Sequence, residues 1–554
     1  MKIILILILF LYYLQTIKSV KQWGSVSIID EEYNFTYESI KNTSADSWGY
    51  IEINEETGWK TLEIWVNPNI VPIEGKRGSY AAGVLEAGLT QKYIYELWIN
   101  IKQMWFPKPN STISPLVVKF LSTQDTWTRG NIQEFESTDD YWRNVGYVLY
   151  QSDGILNGYN YFVNNESEKM EDWMLQVLLY ISDISDLIVA CRENNHEDFS
   201  NDFFTDSKFE YNNIKFEDLF NSHCSALVKF LKDSNEIYFA HTTWYTYVSE
   251  IRFMKNYHIK FNGDTSIYSD SVVMSSYPGT IGSMDDYYLT SYGIAIFETS
   301  FAIFNRTLYK KITPYSLLSW MRGVLANRMA YDGVSWAEFY LKSFSGTQNN
   351  QWVILDFNKF DLFKESKLND LIDGTLYIVE TEPGYFYYQD VTEFLRNYSY
   401  WPSYNIPFSK KIYNETGYEA RKEKYGPEHY SYENCSRADI FRRNQTMIKT
   451  IEDMKEMMRY NDYLNDPLSH GDPDLAIASR ADITTHSPSG ATDSKVTSFQ
   501  LFQNQMSSWI INSPTYVDLP PFTFNDSDLS SWIHLDIPDT IKFPWVLFQF
   551  NDSQ

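Results

Sequence analysis

The alternation of apolar and polar residues is clearest in the middle of the chain. Residues 224–231 have the period of a β-strand, residues 233–236 are polar enough to turn, and residues 237–240 form a second strand pattern that continues into residues 241–244. This pattern predicts a β-hairpin with Cys224 at its first position and His241 near the far end of the return strand. Because antiparallel pairing places that far end beside the start of the first strand, Cys224 and His241 could share one site.

Helical periodicity occurs on both sides of this hairpin. Apolar residues three and four positions apart predict one helix over 168–193 and another over 447–464. A third helix is predicted to run from Thr313-Pro314 to about residue 331, because proline is favoured in the first turn of a helix.

Short apolar runs bounded by polar residues predict further strands, over 267–275, 293–297, 352–356 and 375–380. The polar segment 487–494 predicts a loop. Strands in the middle of the chain with helices around them favour a layered α+β architecture.

The N-terminus has the pattern of an export signal. Lys2 supplies one positive charge, residues 3–14 are apolar, and a short polar stretch follows up to Ser19. We therefore expect residues 1–19 to be removed as a signal peptide and the chain to reach a secreted, lysosomal or endosomal location. No later run approaches the roughly 20 apolar residues that cross a bilayer, so no membrane anchor is predicted.

Composition excludes one class of partner. The net charge is -26, from 46 basic and 72 acidic side chains, and no basic stretch interrupts this acidity. Such a surface repels nucleic acid, so no nucleic-acid partner is predicted.

An exported chain is open to N-glycosylation at Asn-x-Ser/Thr sequences. The sequons predict modification at Asn34, Asn42, Asn110, Asn165, Asn305, Asn397, Asn414, Asn434, Asn444, Asn525 and Asn551.

The cysteine count limits the covalent framework. Cys191, Cys224 and Cys435 allow at most one disulfide and leave one thiol over. Whether Cys191 pairs with Cys435 is open from the sequence. With so few cysteines, a large hydrophobic core must hold the fold together.

No Pro- or Gly-rich linker divides the chain, so residues 20–554 are predicted to form one domain. The polar and acidic segment 193–223 is the best candidate for a linker, either a surface loop or a segment trimmed during maturation.

The position of Cys224 suggests a chemistry. If the preceding bond is cut, Cys224 becomes an N-terminal residue with both a thiol and an α-amine, whose ordinary pKa values are about 8.5 and about 7.7–8.0. The amine can then take the thiol proton, so that one residue supplies both nucleophile and base. The alternative is a buried cysteine that only packs.

Nine short motifs occur in order along most of the chain. They are SWGY (47–50), YAAGVLEA (80–87), NSHCSAL (221–227), HTTW (241–244), SSYPGT (275–280), NNQW (349–352), SYNIP (403–407), FRRNQ (441–445) and RYND (459–462). In these motifs the chain resembles the phospholipase B-like family, which belongs to the N-terminal nucleophile hydrolases. The resemblance implies an αββα sandwich and self-cleavage between His223 and Cys224, which would give chains 20–223 and 224–554.

The resemblance also implies roles for individual residues. Cys224 would be the nucleophile, and Asn405 would donate a hydrogen bond to the oxyanion, although Asn405 also suits a turn. His241 and Trp244 would line the site and orient the thiol. Arg437 would hold the new terminus or an anionic substrate group, with a surface salt bridge as its alternative. Thr299 is a further candidate for the wall of the site.

Other catalytic signatures are missing from the sequence. It contains no Gly-x-Ser-x-Gly nucleophile elbow, no His-Glu-x-x-His zinc motif and no Gly-Lys-Ser/Thr phosphate loop. We therefore predict neither a metal nor an organic cofactor.

Three functions are open from the sequence. The family implies an acyl hydrolase that removes fatty acids from glycerophospholipids, with a phospholipid or other acyl compound as partner and transient contact with a membrane surface. The nucleophile class also cleaves amides, so an N-acyl amide or a peptide is an alternative substrate. The third reading is a secreted glycoprotein that binds lipid without turnover.

Overall fold

The structure is a computed structural model that describes residues 20–29, 32–106, 111–195, 210–211, 214–215, 224–526 and 528–550. The predicted signal peptide, His223 and most of the predicted linker lie outside the described residues, as do the sequon asparagines Asn110 and Asn551.

The strands are numbered in chain order. They are β1 (Val20–Ile29), β2 (Glu32–Glu38), β3 (Ser47–Ile53), β4 (Trp59–Val66), β5 (Glu210–Tyr211), β6 (Ile214–Lys215), β7 (Cys224–Leu231), β8 (Glu236–Thr246), β9 (Arg252–His258), β10 (Ser271–Ser276), β11 (Tyr287–Thr290), β12 (Ile294–Ser300), β13 (Asn350–Asp356), β14 (Leu376–Glu382), β15 (Tyr385–Asp390), β16 (Tyr400–Ser403), β17 (Ser489–Ala491), β18 (Ser494–Ser498), β19 (Ser508–Ile511), β20 (Phe522–Thr523), β21 (Thr540–Ile541) and β22 (Val546–Phe548).

The α-helices are numbered in the same way. They are α1 (Gly75–Trp105), α2 (Pro115–Phe135), α3 (Asp140–Phe162), α4 (Asp172–Leu179), α5 (Ile181–Asn195), α6 (Ser319–Met329), α7 (Gly333–Leu341), α8 (Phe357–Glu365), α9 (Thr392–Tyr398), α10 (Lys410–Thr416), α11 (Tyr418–Tyr425), α12 (Pro427–Tyr430), α13 (Ser436–Asn444), α14 (Ile451–Met458), α15 (Asp482–Thr485) and α16 (Phe499–Gln503).

Most strands belong to two large sheets. The larger sheet has 11 strands in the order β15-β14-β13-β12-β11-β10-β9-β4-β3-β1-β2. The smaller has 7 strands, in the order β16-β7-β8-β18-β19-β22 with β17 also paired to β8. Neighbouring strands run antiparallel, except that β4 and β9 are parallel.

The two sheets share one buried apolar layer. Ala226, Val228 and Phe239 of the smaller sheet cluster with Phe297 and Val353 of the larger. Helix α1 packs against β1, β3 and β4, and helix α14 packs against β8 and β18. The α+β architecture is therefore confirmed, whereas the αββα sandwich of N-terminal nucleophile hydrolases stays a prediction.

The predicted hairpin is confirmed as β7 and β8. Cys224 lies opposite Thr243, and Ala226 lies opposite His241. Because opposed residues of an antiparallel pair project from the same face, Cys224 and His241 share the face turned toward the larger sheet. The four other predicted strands correspond to β10, β12, β13 and β14, with boundaries moved by a few residues.

The prediction of one helix over 168–193 is wrong. The chain forms α4 and α5 instead, which meet at 107° beside Tyr180. This bend brings the Asp183 carboxylate to the start of α6, where it accepts the backbone N–H groups of Ser319 (2.8 Å) and Trp320 (3.2 Å). Among the described residues no single helix is long and apolar enough to cross a membrane, and α4 with α5 meets that criterion only as a bent pair.

The contact between Asp183 and the start of α6 also explains why the predicted start of this helix is wrong. The helix predicted to begin at Thr313-Pro314 begins at Ser319, and the residue before it offers no capping side chain. Its first N–H groups are satisfied by Asp183, more than a hundred positions earlier in the chain. Local sequence carries no sign of such a cap.

Two predictions near the C-terminus are also wrong in extent. The helix predicted over 447–464 is only α14, which opens with a capping box between Thr450 and Asp453. The segment 487–494 contains β17 and the first residue of β18 instead of a loop alone. Its polar side chains include a buried, hydrogen-bonded Asp493, so its polarity does not indicate exposure.

The three cysteines are buried, and Cys191 does not form a disulfide with Cys435. The described sequon asparagines differ in accessibility, while their glycosylation stays a prediction. Asn444 is buried, with 6% of its surface exposed. The others are exposed at Asn34, Asn165, Asn397, Asn414, Asn434 and Asn525, and half-buried at Asn42 and Asn305.

Candidate active site

Cys224 stands where a strand begins at the edge of a cavity. It is the first residue of β7, and it lines a cavity of about 240 Å³ together with Thr243, Trp244, Asp285 and Glu298. The alternation along β7 sends Ala226 and Val228 into the layer between the sheets and leaves Cys224, on the same face, at the end of that layer.

Both backbone polar groups of Cys224 are held by side chains. Its N–H donates to Asn405 Oδ1 at 2.9 Å, and its carbonyl oxygen accepts from Arg437 Nη1 at 2.6 Å. Arg437 Nη1 also donates to Asn405 Oδ1 at 2.7 Å, and Nη2 donates to the carbonyl oxygen of Tyr404 at 2.8 Å. The start of β7 is therefore clamped by two of the residues that the sequence singled out.

The orientation of the Asn405 amide follows from its three partners. Two donors face Oδ1, while Nδ2 donates to the carbonyl oxygen of Ser300 at 2.6 Å. Its backbone has φ +67°, a left-handed conformation that asparagine adopts more readily than most residues. In this arrangement the oxygen, and not the nitrogen, of the amide faces Cys224, and the predicted role as an oxyanion donor stays a prediction.

Arg437 is placed by an aromatic ring as well as by hydrogen bonds. Its guanidinium lies over the ring of Trp244, 4.5 Å from the centroid. Burial lowers the pKa of Arg437 from its ordinary value. The Trp244 indole N–H donates to the carbonyl oxygen of Ile477 at 3.2 Å, which holds the ring in place. Arg437 makes no salt bridge with any carboxylate among the described residues, so the alternative of a surface ion pair does not describe its contacts.

His241 is fully buried behind the site. Burial, together with Lys495, lowers the pKa of His241 to about 3, so the ring is neutral. Its Nε2 lies 3.0 Å from the carbonyl oxygen of Glu298, and its Nδ1 lies 3.4 Å from Thr243 Oγ1. His241 therefore contacts the side chain of Thr243, the residue paired with Cys224 in the hairpin.

The environment of the thiol favours its protonated form. Burial raises the pKa of Cys224 well above its ordinary value, and the carboxyl of Glu298 adds to the effect. The backbone N–H of Trp244 and the Lys495 ammonium act in the opposite direction. Ionisation of this thiol therefore needs a base close by.

A buried ionic cluster behind Thr243 was missed by the sequence reasoning. Lys495 Nζ lies 2.8 Å from Asp285 Oδ2 and 2.9 Å from Asp493 Oδ1, and Arg252 Nη2 lies 2.6 Å and 2.7 Å from the same two carboxylates. Lys495 also donates to Thr243 Oγ1 at 2.6 Å. Burial opposes the charge on Asp285, but Arg252 and Lys495 outweigh it and hold the pKa of this carboxyl below its usual range.

A second buried network places Thr299. The backbone N–H of Asn405 donates to Thr299 Oγ1 at 3.3 Å, and Thr299 Oγ1 lies 2.7 Å from Ser403 Oγ. Ser403 donates to Gln351 Oε1 at 2.9 Å, and Gln351 Nε2 donates to Glu380 Oε1 at 2.7 Å. Thr299 therefore supports Asn405 from behind, and it does not line the cavity.

Across the described residues, no three histidine, cysteine or carboxylate side chains are grouped as they would be around a metal ion. The chemistry that the site can support is nucleophilic attack by a buried thiol.

Comparison with known proteins agrees with the order of the motifs. The Phospholipase B family model matches residues 49–548. Phospholipase B from Crotalus adamanteus is 36% identical over 535 residues, which cover 95% of this chain and 92% of that protein. Phospholipase B-like 1 from Homo sapiens is 36% identical over 542 residues, which cover 97% of this chain and 90% of that protein. Phospholipase B-like protein B from Dictyostelium discoideum is 35% identical over 525 residues, covering 93% and 88%. The chain therefore belongs to the phospholipase B family.

Proposed function

We propose that this chain is an exported acyl hydrolase that removes fatty acyl groups from glycerophospholipids, with Cys224 as its nucleophile once the bond between residues 223 and 224 is cut. One observation carries the proposal. The nitrogen and the carbonyl oxygen of Cys224 are held by the Asn405 and Arg437 side chains, and Cys224 lines a cavity. Any buried backbone group needs a hydrogen-bond partner, but two side chains that fix this residue beside a cavity also supply the positioning that an attacking thiol requires. The names of the relatives, phospholipase B and phospholipase B-like, supply the substrate class.

Self-cleavage begins with attack of Cys224 Sγ on the carbonyl carbon of His223. The peptide C–N bond breaks, the nitrogen takes the thiol proton and becomes an α-amine, and His223 remains bound to sulfur as a thioester. Water then hydrolyses the thioester, which releases the His223 carboxyl group and restores the thiol.

The hydrolase reaction uses the same thiol. The α-amine of Cys224 accepts the thiol proton while sulfur attacks the carbonyl carbon of the acyl ester. The amine then gives that proton to the departing glycerol oxygen, and the acyl group stays on sulfur. A water molecule, deprotonated by the amine, hydrolyses the acyl thioester and releases the fatty acid.

The base must be unprotonated to act, and an ordinary α-amine is protonated in an acidic compartment. The Arg437 guanidinium, bound to the carbonyl oxygen of the same residue, places a cation beside the amine, and a nearby cation lowers the pKa of an amine. Asn405 Oδ1 accepts a hydrogen bond from this nitrogen and orients it. For Asn405 Nδ2 to serve the oxyanion, it would exchange its present bond to Ser300 for one to the substrate.

The decisive experiment compares ester and amide substrates. Purified, cleaved protein is incubated with phosphatidylcholine and, separately, with an N-acyl amide of the same acyl chain, and free fatty acid is measured. Release from the ester, absent in Cys224→Ala, supports the proposal. Faster release from the amide would make the protein an amidase. Binding to phospholipid vesicles without release from either substrate would make it a lipid-binding glycoprotein.

A further inference from the structure

The cavity lined by Cys224 is also lined by an arginine. Arg421 lines the same cavity from helix α11, and its guanidinium lies over the ring of Phe304, 4.4 Å from the centroid. The ring of Phe304 packs in turn against the ring of Tyr418 at 5.0 Å. The arginine is therefore held in a defined place by aromatic contacts.

Tyr418 connects this end of the cavity to the thiol end. Its hydroxyl donates to the carbonyl oxygen of Asn405 at 2.8 Å and accepts the backbone N–H of Ala302 at 3.0 Å. Tyr418 and Arg421 are three positions apart on one helix, so their Cβ atoms are neighbours at about 5–6 Å. Asn405 itself contacts the Cys224 nitrogen.

The wall between the two ends is short. Residues 300–304 line the cavity from Ser300, which contacts Asn405, to Phe304, which contacts Arg421. Four residue steps span about 14 Å at most. One acyl glycerophosphate molecule is therefore long enough to span this wall from Ser300 to Phe304.

The charge distribution favours an anion at the arginine end. The Arg421 guanidinium donates no hydrogen bond and makes no ion pair within the described part of the chain. At the thiol end, the charge on Asp285 is balanced by Arg252 and Lys495. Burial raises the pKa of Glu298 well above its ordinary value and that of Asp186, which lines the same cavity, to about 6, so negative charge is disfavoured on both carboxyls.

We infer that Arg421 binds the phosphate of the acyl substrate, so that the phosphodiester of a glycerophospholipid lies against the Arg421 guanidinium, on the side away from the Phe304 ring, while its ester lies at Cys224. A planar guanidinium matches two phosphate oxygens at once. The inference rests on the proposed function, because it assigns the substrate of that same site.

The test compares two short-chain esters below their critical micelle concentrations. Lysophosphatidylcholine carries the phosphodiester, and a 1-monoacylglycerol with the same acyl chain does not. The proteins are cleaved wild type, Arg421→Ala, Arg421→Lys and the matched control Lys424→Ala, whose exposed ammonium lies on the same helix outside the cavity lining.

Arg421→Ala should raise the KM for lysophosphatidylcholine about tenfold more than the KM for the monoacylglycerol, as expected for a lost hydrogen bond to a charged group. The KM of Arg421→Lys for lysophosphatidylcholine should lie between those of wild type and Arg421→Ala, because an ammonium keeps the charge but cannot donate to two phosphate oxygens in the planar geometry of a guanidinium. Lys424→Ala should leave both KM values unchanged. Equal changes for both esters in Arg421→Ala, or no change for either, would overturn the assignment.

A binding measurement separates this inference from the proposed function. Glycerophosphocholine should slow alkylation of Cys224 by iodoacetamide, followed by peptide mass spectrometry, in wild type and not in Arg421→Ala. Protection that is equal in the two proteins, or absent from both, would overturn the phosphate site. If wild type hydrolyses neither ester but is protected through Arg421, the proposed function fails and the phosphate site stands.

Discussion

Arg437 Nη1 lies 2.6 Å from the carbonyl oxygen of Cys224, and this contact ties the first residue of β7 to helix α13. The same nitrogen reaches Asn405 Oδ1, which accepts the Cys224 N–H. The Cys224 backbone, the Asn405 amide oxygen and the Arg437 guanidinium are thus joined to one another by three hydrogen bonds. Movement of the arginine would release both the carbonyl oxygen and the asparagine.

Replacement of Arg437 by lysine tests this geometry. Arg437→Lys keeps the positive charge but cannot reach the carbonyl oxygens of Cys224 and Tyr404 and the Asn405 side chain together. We expect cleavage before Cys224 and fatty acid release to slow at least about tenfold, since each hydrogen bond to a charged group contributes about 1.5–3 kcal/mol. Cleavage is followed on reducing gels over time.

The control for this variant lies on the same helix. Arg442 pairs with Asp439 and is half exposed, so Arg442→Lys makes the same chemical change away from Cys224. It should cleave at the wild-type rate. If Arg437→Lys and Arg442→Lys cleaved equally fast, the clamp would have no part in the reaction.

The stability of the fold should depend strongly on the balance of charges in the buried cluster behind Thr243. Arg252 and Lys495 face Asp285 and Asp493, two cations against two anions, all fully buried. Lys495→Met leaves one anion in excess, and removal of one partner from a buried ion pair costs about 3–5 kcal/mol. The free energy of unfolding, from urea denaturation, measures this loss.

A second substitution should recover part of that stability. Lys495→Met with Asp493→Asn restores neutrality, so the double variant should be less destabilised than the sum of the two single variants. If the loss of stability in the double variant equalled the sum of the two single losses, the charges of Lys495 and Asp493 would not interact.

The sequence predicted the part of the site whose signals are local. The patterns over 224–231 and 237–240 were enough to predict the hairpin and to bring Cys224 and His241 toward one site, and the strand register adds that they share one face. The family resemblance added Asn405 and Arg437, which contact Cys224 although they lie some two hundred positions away.

The rest depends on contacts that no local pattern records. Arg252 and Asp285 lie more than two hundred positions before Asp493 and Lys495, and all four look like ordinary polar residues in the sequence until the fold brings them together. Asp183 caps a helix far from it in sequence, which is why the start of that helix was misplaced. Burial of polar groups is decided by their partners, and partners are a property of the fold.

The buried carboxyl of Asp186 should make the stability of the protein fall as pH rises. It lines the cavity, and its carboxylate accepts hydrogen bonds from Tyr309 (2.8 Å) and the backbone of Gln348 (2.7 Å). Burial raises its pKa from 3.8 to about 6. The folded protein therefore keeps a proton that the unfolded chain releases, so stability is full below about pH 4 and falls as pH rises to about 6.

Asp186→Asn should remove this part of the pH dependence. The difference in pKa corresponds to about 3 kcal/mol between acid and neutral pH. We expect the urea midpoint of the wild type to fall more than that of Asp186→Asn between pH 4 and pH 7. Parallel curves for the two proteins would show that Asp186 does not titrate in this range.

The main test of the proposed mechanism concerns the polypeptide itself. Mature protein should migrate under reducing conditions as two chains, residues 20–223 and 224–554, because the Cys224 thiol attacks the carbonyl carbon of His223. Cys224→Ala should remain one chain and be inactive, since it has no nucleophile. Cys224→Ser should cleave more slowly, because a hydroxyl can make the same attack but is a weaker nucleophile.

N-terminal sequencing of the larger chain decides the matter. A first residue at Cys224 supports self-cleavage, and the control Cys191→Ser, which alters a buried thiol of helix α5, should be cut at the same bond. The two chains should stay together after cleavage, because both contribute strands to the larger sheet: β4 of the first chain pairs with β3 of the same chain and with β9 of the second. Strands β7 and β8 of the second chain also share a buried apolar layer with that sheet. A different first residue, or normal cleavage of Cys224→Ala made without other proteases, would mean that Cys224 does not cut its own chain.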